Sequence, residues 1–179
     1  ALGQAQQGHE GGGAPRVRLA TEGAERMQIL VNDLLALSRV RTAGRVFKRE
    51  DMDQILRSVL ANMQLAIHEA DAVVTVQPLP VLTVDRTQML QLLQNLISNA
   101  LKYRQVNQRP VVDISAKRRG AYYTFAVRDN GIGIDPAYHK RIFGMFQRLH
   151  SRSEYPGTGV GLAICSKIVE RHGGKLWVE

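Results

Sequence analysis

Three short segments of this chain carry residues whose types and spacing could do chemistry on a phosphate. In QNLISNALKY (94–103), Asn95, Asn99 and Lys102 recur three or four residues apart, so a helix presents them on one face. Two amides and an ammonium on one face suit a phosphate–magnesium cluster. An Asn carbonyl oxygen is a hard ligand for Mg²⁺, which otherwise keeps waters and phosphate oxygens, and Lys102 can sit against phosphate as a point charge. In DNGIGID (129–135), Gly131 and Gly133 supply the backbone freedom of a turn. Asp129 stands at the end of the preceding strand, facing a possible cleft, where a buried carboxylate can accept a hydrogen bond from the amino group of adenine. Guanine presents an oxygen at that position and would be repelled. In GTGVGLAI (157–164), Gly157, Gly159 and Gly161 open an amphipathic helix whose first N–H groups and positive dipole end face outward, as a phosphate requires. Each segment also has a plainer reading: an exposed helix face, a simple turn, a glycine-rich helix start. The acidic spacing of a calcium loop is absent from the second. The third has neither the Gly-Lys-Ser/Thr of a Walker loop nor the early strand–turn–helix of a dinucleotide fold.

The chain around these segments has to fold to place them. At 179 residues and 44% hydrophobic, it accommodates one domain with a real core plus a helical appendage, and is not a disordered chain. No apolar stretch is long enough to span a bilayer and no signal-peptide pattern opens the chain. The single cysteine, Cys165, excludes an internal disulfide framework and fits a reducing cytoplasm. It occupies an apolar helix position, which suits a buried thiol better than a reactive one. The net charge of +8 comes from scattered cations, with only small groups such as Lys117-Arg118-Arg119. That distribution fits a solvated surface, and no zinc spacing or aromatic recognition motif points to nucleic acid.

Residues 1–16 are Gly- and Gln-rich and read as a linker. From about Val17 to Arg41 a helical stripe of Ala20, Ala24, Met27, Val31, Leu34 and Ser38, reinforced by Leu30, Leu35 and Leu37, is too apolar for a lone helix and calls for partner helices. The segment 41–51 reads as a connector. Asp51 or Asp53 caps a helix to about Ala70 with Ile55, Val59, Leu60, Met63 and Ile67 on its core face. Two short extended runs, VVTVQ and VLTV, flank the breaker Pro78-Leu79-Pro80. A helix from about Asp85 to Arg104 follows, then two longer strands, VVDISAK and AYYTFAVR. An irregular stretch with a short helix near 136–146 leads to a last helix over 159–172, ended by His172-Gly173-Gly174, and KLWVE reads as the start of a strand. Helices on one face of a mixed sheet make a two-layer α/β sandwich.

The order and spacing of the three segments, with IFGMFQRLH (142–150) between the last two, resemble the ATP-binding domain of sensor histidine kinases in the Bergerat, or GHKL, superfamily. The stretch FQRLHSRSEYPGTGVGLAICSKIVERHGG is similar to the phytochrome-like or PAS-linked kinases in particular. The resemblance runs from about Leu19 to Glu179. GAERMQILVNDLLALSRV is similar to the second helix of the family's dimerisation bundle. It implies a Bergerat-type sandwich over 46–179, preceded over 17–45 by a bundle helix that forms a homodimer in the full-length protein. ATP and Mg²⁺ are the implied cofactors. By position, the resemblance assigns Asn99 to magnesium with Asn95 in support, and Lys102 and Tyr103 to the phosphates and nucleotide edge. It gives Asp129 to adenine, Gly131 and Gly133 to the turn, and Gly157, Thr158, Gly159, Val160 and Gly161 to the phosphate loop. Phe143 and Phe146 would anchor a lid over about 135–158 by packing, and Arg148 or Arg152 would reach the γ-phosphate. Implied partners are a response-regulator receiver domain and an upstream sensor domain.

The departure from the family lies in the acceptor. Histidine kinases phosphorylate a histidine in a His-Asp/Glu-x-x-x-Pro-like segment upstream of the bundle's second helix, and a neutral imidazole nitrogen is a good nucleophile near neutral pH. Of His9, His68, His139, His150 and His172, only His9-Glu10 approaches that pattern, and the three glycines after it do not hold a helix. The first bundle helix, its acceptor and the final strand are therefore expected to be missing, leaving the catalytic portion of a longer, cytoplasmic or membrane-anchored kinase that cannot phosphorylate itself in cis. Two other readings remain: a nucleotide-binding, dimerising module without an acceptor, and another GHKL ATPase or serine kinase. Such ATPases use a carboxylate on the first-segment helix to activate water. Here that face offers Gln91 and Gln94, which are poor bases.

Overall fold

In the computed structural model, residues 45–179 except 152, 153 and 156 are described, together with residues 21, 23, 24, 27–29, 31, 32, 34, 35 and 38. The expected linker over 1–16 and both ends of the expected bundle helix lie outside the described residues. Those described between 21 and 38 are helical, and Met27, Ile29, Val31, Leu34 and Leu35 are each 44–64% exposed.

The rest is built from five strands and four α-helices. β1 (Lys48–Asp51) runs straight into α1 (Met52–Asn62), and α2 (Gln64–Glu69) follows after a one-residue break. β2 (Val73–Val76), β3 (Val81–Val84) and α3 (Arg86–Lys102) come next, then the hairpin β4 (Val111–Arg119) and β5 (Tyr122–Asp129). α4 (Gly161–Arg171) closes the described fold. The segment 41–51, expected as a connector, supplies β1 at its end, antiparallel to β3 with Lys48 opposite Val84 and Asp51 opposite Val81. A four-residue run of Lys, Arg, Glu and Asp carries no apolar alternation, so its pairing is invisible to pattern. Charged side chains are usual on such edges.

β2 and β3, neighbours in sequence, belong to different sheets. β2 pairs in parallel with β4, and β4 antiparallel with β5, giving the order β2-β4-β5. Val112 and Ile114 of β4 are fully buried while Val111 and Asp113 between them are exposed. That alternation marks one packed face and one open face. The packed face meets Ile55, Leu56 and Val59 of α1, Leu93 and Ile97 of α3, and Ile164 and Ile168 of α4 in one core. The two-layer α/β sandwich is thus the observed architecture.

Asp51 caps α1 by accepting the Asp53 N–H at 2.9 Å. The helix expected to reach Ala70 breaks at Met63, whose φ of −102° and ψ of 6° leave the helical region. Met63 remains buried, so the break serves the core. At the other end, Lys175–Glu179 forms no strand: these residues join no ladder among the described residues, and an extended run without a partner is not a strand.

Asp85, 1% exposed, holds the sandwich at the start of α3. Its Oδ1 accepts the Thr87 and Gln88 N–H groups as an N-cap. Its Oδ2 accepts the Arg45 N–H at 2.6 Å and Arg171 Nη1 at 3.1 Å. Arg171 also donates to Gln88 Oε1 at 2.7 Å and to the Arg45 carbonyl at 3.0 Å. The Asp85 N–H donates to His172 Nε2 at 3.1 Å, which puts the ring proton on Nδ1, 2.8 Å from the Ile168 carbonyl. Phe47 stacks on His172 with centroids 4.4 Å apart. One carboxylate thereby ties the entry segment, the start of α3 and the end of α4.

Two outcomes follow from this junction. Arg171→Met strips the buried Asp85 of its counter-charge and is expected to cost about 3 kcal/mol in urea unfolding. The second concerns pH. Burial holds the His172 imidazole below its usual 6.5, with Arg171 acting the same way and the Ile168 carbonyl and Asp85 opposing. The unfolded chain then binds the proton more readily. The stabilisation is complete above about pH 6.5 and is lost as pH falls through the folded value. Urea midpoints measured between about pH 7 and pH 5 should fall with pH in the unaltered chain and fall less steeply in His172→Gln.

Candidate functional site

α3 brings the three chemical segments together. Asn95, Asn99 and Lys102 lie half-buried on one side of it, while Leu93, Ile97, Ala100 and Leu101 are turned into the core. Asn95 Nδ2 donates to the carbonyl of Gly161, the first residue of α4, at 3.4 Å. Lys102 Nζ sits 3.1 Å from where a Cβ would stand on Gly157, and 4.1 Å from the centre of the Tyr103 ring. The Tyr103 carbonyl accepts the Ile132 N–H at 3.0 Å. A single helix face therefore touches the phosphate-loop segment at Gly157 and Gly161 and the acidic turn at Ile132.

The acidic turn is shaped by close approach. A Cβ on Gly131 would run into the Tyr103 carbonyl oxygen and lie 2.8 Å from Asp129 Oδ1. Asp129, at the end of β5, accepts the Gly131 N–H through Oδ1 at 2.9 Å, and its carboxylate is exposed. The buried setting expected for an adenine acceptor is thus not built by the protein alone. Gly133 has φ of +71° with open space around it. Asn130, absent from the sequence expectations, pins the turn: its Oδ1 accepts the Val111 N–H at 2.8 Å and its Nδ2 donates to the Arg109 carbonyl at 3.0 Å. Gln105 adds a bond from Nε2 to the Gly131 carbonyl at 3.2 Å. An Asn beside the acidic residue of a turn is itself a signal for such a clamp.

α4 begins at Gly161 after Val160, which has no side chain able to cap it and makes no side-chain cap bond. The first turn of the helix follows directly on the loop containing Gly157, Thr158 and Gly159. Gly159, with φ of +75°, packs so closely that a Cβ would stand 2.8 Å from the Gln147 carbonyl oxygen. Behind this start, Cys165 is fully buried, its Sγ donating to the Leu92 carbonyl at 3.9 Å. Burial pushes its thiol up to about 12, against a smaller opposing effect of the Asn95 side chain, so it stays protonated and unreactive.

The expected short helix near 136–146 is instead two 3₁₀ turns, Pro136–Tyr138 and Arg141–Phe143. Gly144, in an extended conformation, ends the second. Of the two phenylalanines expected to anchor the lid by packing, Phe143 is half-buried, but Phe146 is 52% exposed with φ of +58°. Ile142, 7% exposed, takes the anchoring position. Arg148, expected to reach a phosphate, donates to the Tyr155 carbonyl at 2.8 Å. Arg152 lies outside the described residues. Sequence reasoning also missed an aromatic group joining Tyr103, His150 and Tyr155.

These residues fit a nucleotide with its magnesium. The Asn99 amide makes no hydrogen bond with the described residues, so its oxygen is available as a hard ligand. No group of three or more His, Cys, Asp or Glu side chains able to cage a metal occurs among the described residues. A single protein oxygen suits Mg²⁺, which takes most of its shell from water and phosphate. Lys102 and the N-terminal end of the α4 dipole supply positive potential on the same side.

The fold agrees with that of known proteins. Residues 84–179 match the profile of the histidine kinase-, DNA gyrase B-, and HSP90-like ATPases, and the chain belongs to that family. It is 47% identical over 163 residues to cyanobacterial phytochrome A of a Nostoc species, covering 91% of this chain and 21% of that protein. It is 41% identical over 163 residues to phytochrome-like protein Cph1 of a Synechocystis species, covering 91% of this chain and 22% of that protein. The structure of full-length ShkA in complex with AMPPNP superposes with a TM-score of 0.73 at 27% identity, covering 97% of this chain and 37% of that one. Within the family, its similarity to these two phytochromes extends over nine-tenths of the chain. The chain spans about a fifth of the length of these phytochrome relatives. Among the described residues no helix is long and apolar enough to cross a membrane.

The acidic turn yields a paired prediction. Gly131→Ala must displace the Tyr103 carbonyl and should cost about 1–3 kcal/mol by overpacking, with nucleotide affinity falling sharply. Gly133→Ala meets open space and should cost about 1 kcal/mol from its left-handed backbone, with a smaller loss of affinity. Urea unfolding and ATP titration of the two variants check the order.

Proposed function

We propose that this chain binds ATP with Mg²⁺ and transfers the γ-phosphoryl group to a histidine on a bundle helix, from which it passes to an aspartate of a response-regulator receiver domain. The observation that carries the reading is the convergence on α3, where Asn95, Lys102 and Tyr103 reach the phosphate loop and the acidic turn at once. Asp129 accepts the adenine amino group and thereby selects ATP over GTP. Gly131, Gly133 and Asn130 hold the turn that aims it. Asn99 would hold Mg²⁺ with Asn95 in support, and the ion, when bound, offsets phosphate charge. Lys102 and the backbone donors from Gly157 to Gly161 face the phosphates, with Thr158 and Val160 shaping that loop. Arg148 reaches the γ-phosphate only if the lid rearranges away from its bond to Tyr155.

In the transfer, an imidazole nitrogen forms a P–N bond as the bond from the γ-phosphorus to the bridging oxygen breaks, and ADP leaves with that oxygen. The protein's part is positioning and charge stabilisation. None of the five histidines carries the acceptor pattern. His68, His139, His150 and His172 belong to α2, the lid and the end of α4, so the acceptor comes from a supplied helix. The relatives are phytochromes and histidine kinases, which favours phosphotransfer over an ATPase or serine kinase reading. An acceptor-less dimerising module would bind nucleotide equally well and would fail only in transfer. The helix over 17–41 is the proposed dimer contact, an upstream sensor domain the proposed source of control, and the cytoplasm the proposed location.

Asp129→Asn exchanges one acceptor oxygen for an amide donor that faces the adenine amino group and removes the charge from the other bond. Calorimetric titration should show ATP affinity falling about 10- to 100-fold, and binding by the unaltered chain should weaken when Mg²⁺ is chelated. Addition of a separate acceptor-helix protein with labelled ATP should then yield acid-labile phosphohistidine. Tight binding with no transfer would favour the regulatory module.

A further inference from the structure

The lid is fastened to Tyr103, at the end of α3, by two rings that lie outside the three nucleotide segments. The Tyr155 ring lies 5.0 Å from that of Tyr103, centre to centre, and tilted by 47°. His150 meets Tyr155 edge-on at 5.3 Å and Tyr103 at 6.2 Å. Offset and edge-on arrangements are those that aromatic quadrupoles favour. Backbone bonds reinforce the group. The Tyr155 hydroxyl donates to the Arg104 carbonyl at 3.3 Å, and Arg148 donates to the Tyr155 carbonyl at 2.8 Å. The same Tyr103 ring carries the Lys102 ammonium 4.1 Å from its centre, an arrangement that restrains a flexible cation on a π-face. That ammonium borders Gly157, two residues beyond Tyr155.

We propose that Tyr155 and His150 form a clasp with Tyr103 that holds Lys102 toward the phosphate loop, making Tyr155 a positioning residue for the phosphate end of the nucleotide site. The inference rests on the ATP-binding reading above and extends it to residues outside the three motifs. Lys102 alone has several rotamers to lose on meeting a phosphate. A ring fixed from the lid side removes that freedom in advance, and seating the lid and aiming the lysine become one event. Tyr155 acts through Tyr103, the ring it packs against.

The test uses the whole chain and ATP·Mg²⁺ in calorimetry, together with NMR of the nucleotide-free protein. Tyr155→Ala should weaken ATP affinity about 3- to 10-fold, and Tyr155→Phe, which keeps the ring, should restore it. In a Lys102→Met background, Tyr155→Ala should add less than about 2-fold, because the residue through which it acts is gone. Without nucleotide, the ε-methylene protons of Lys102 should be shifted upfield by the Tyr103 ring, and that shift should shrink in Tyr155→Ala but persist in Tyr155→Phe. An unchanged affinity in Tyr155→Ala, full additivity with Lys102→Met, or an unmoved Lys102 signal would overturn the clasp while leaving ATP binding intact. Failure of the unaltered chain to bind ATP would overturn both the clasp and the functional reading.

Discussion

The placement of α3 is the constraint on which the rest of this structure depends, and one buried carboxylate sets it. Asp85 gives one oxygen to the first turn of α3 and the other to Arg45 and Arg171. An isolated carboxylate with this exposure would be costly, and it is tolerated because every side of it is bonded. The geometry propagates from there. With its start fixed against the end of α4, α3 runs 17 residues, about 25 Å. It delivers Asn95 to the start of α4 and Tyr103 to the acidic turn. A shift of one turn at Asp85 would separate all three segments at once.

The core and the site share this helix without competing for it. The buried side carries Leu93, Ile97, Ala100 and Leu101, and the half-buried side carries Asn95, Asn99 and Lys102. The division follows from helical period alone. Because the apolar side is locked into packing with β4 and α4, the polar side cannot rotate away from the loop it faces. Rigidity of this kind is what positions an ammonium and an amide within the tolerances that phosphate chemistry needs. The lid contributes differently, since it consists of short turns and exposed residues with few buried anchors, which is where low-stability opening is expected.

Legibility in the sequence divides along the same physical line. α3 has helical periodicity and the Asp85 cap, β4 alternates and α4 keeps its apolar face, and with β5 they appear close to where pattern places them. Asp85 was readable as the start of a helix, but nothing local shows that Arg171, 86 residues later, reaches the same carboxylate. β1 escaped notice because its four residues are all charged and its pairing with β3 is long-range. The break at Met63 was hidden because the apolar spacing continues through it. The motif residues were legible by type, whereas Asn130, Tyr155 and His150 were not, since their roles lie in contacts across the fold. Phe146 shows the opposite error: an aromatic side chain suggests packing, and a left-handed backbone places it outward.

The character of the polar face also bears on what the bound phosphate would meet. Gln91 and Gln94 occupy the helix beside Asn95, and neither amide can take a proton from water. Of the histidines, His172 is built into the Asp85 junction, His139 bonds the Ile134 carbonyl, and His150 lies against the Tyr103 and Tyr155 rings. Cys165 lies behind Asn95 but stays protonated. On the described face of α3, Asn95, Asn99 and Lys102 suit binding and orienting phosphate, and Gln91 and Gln94 do not suit activating a water molecule. Amides on that face fit the proposed transfer, in which the nucleophile comes from elsewhere and needs no activation by the pocket. A neutral imidazole brought from elsewhere meets that requirement. Separation of the acceptor from the nucleotide pocket is then a source of control, because transfer depends on the encounter of two elements rather than on either one alone.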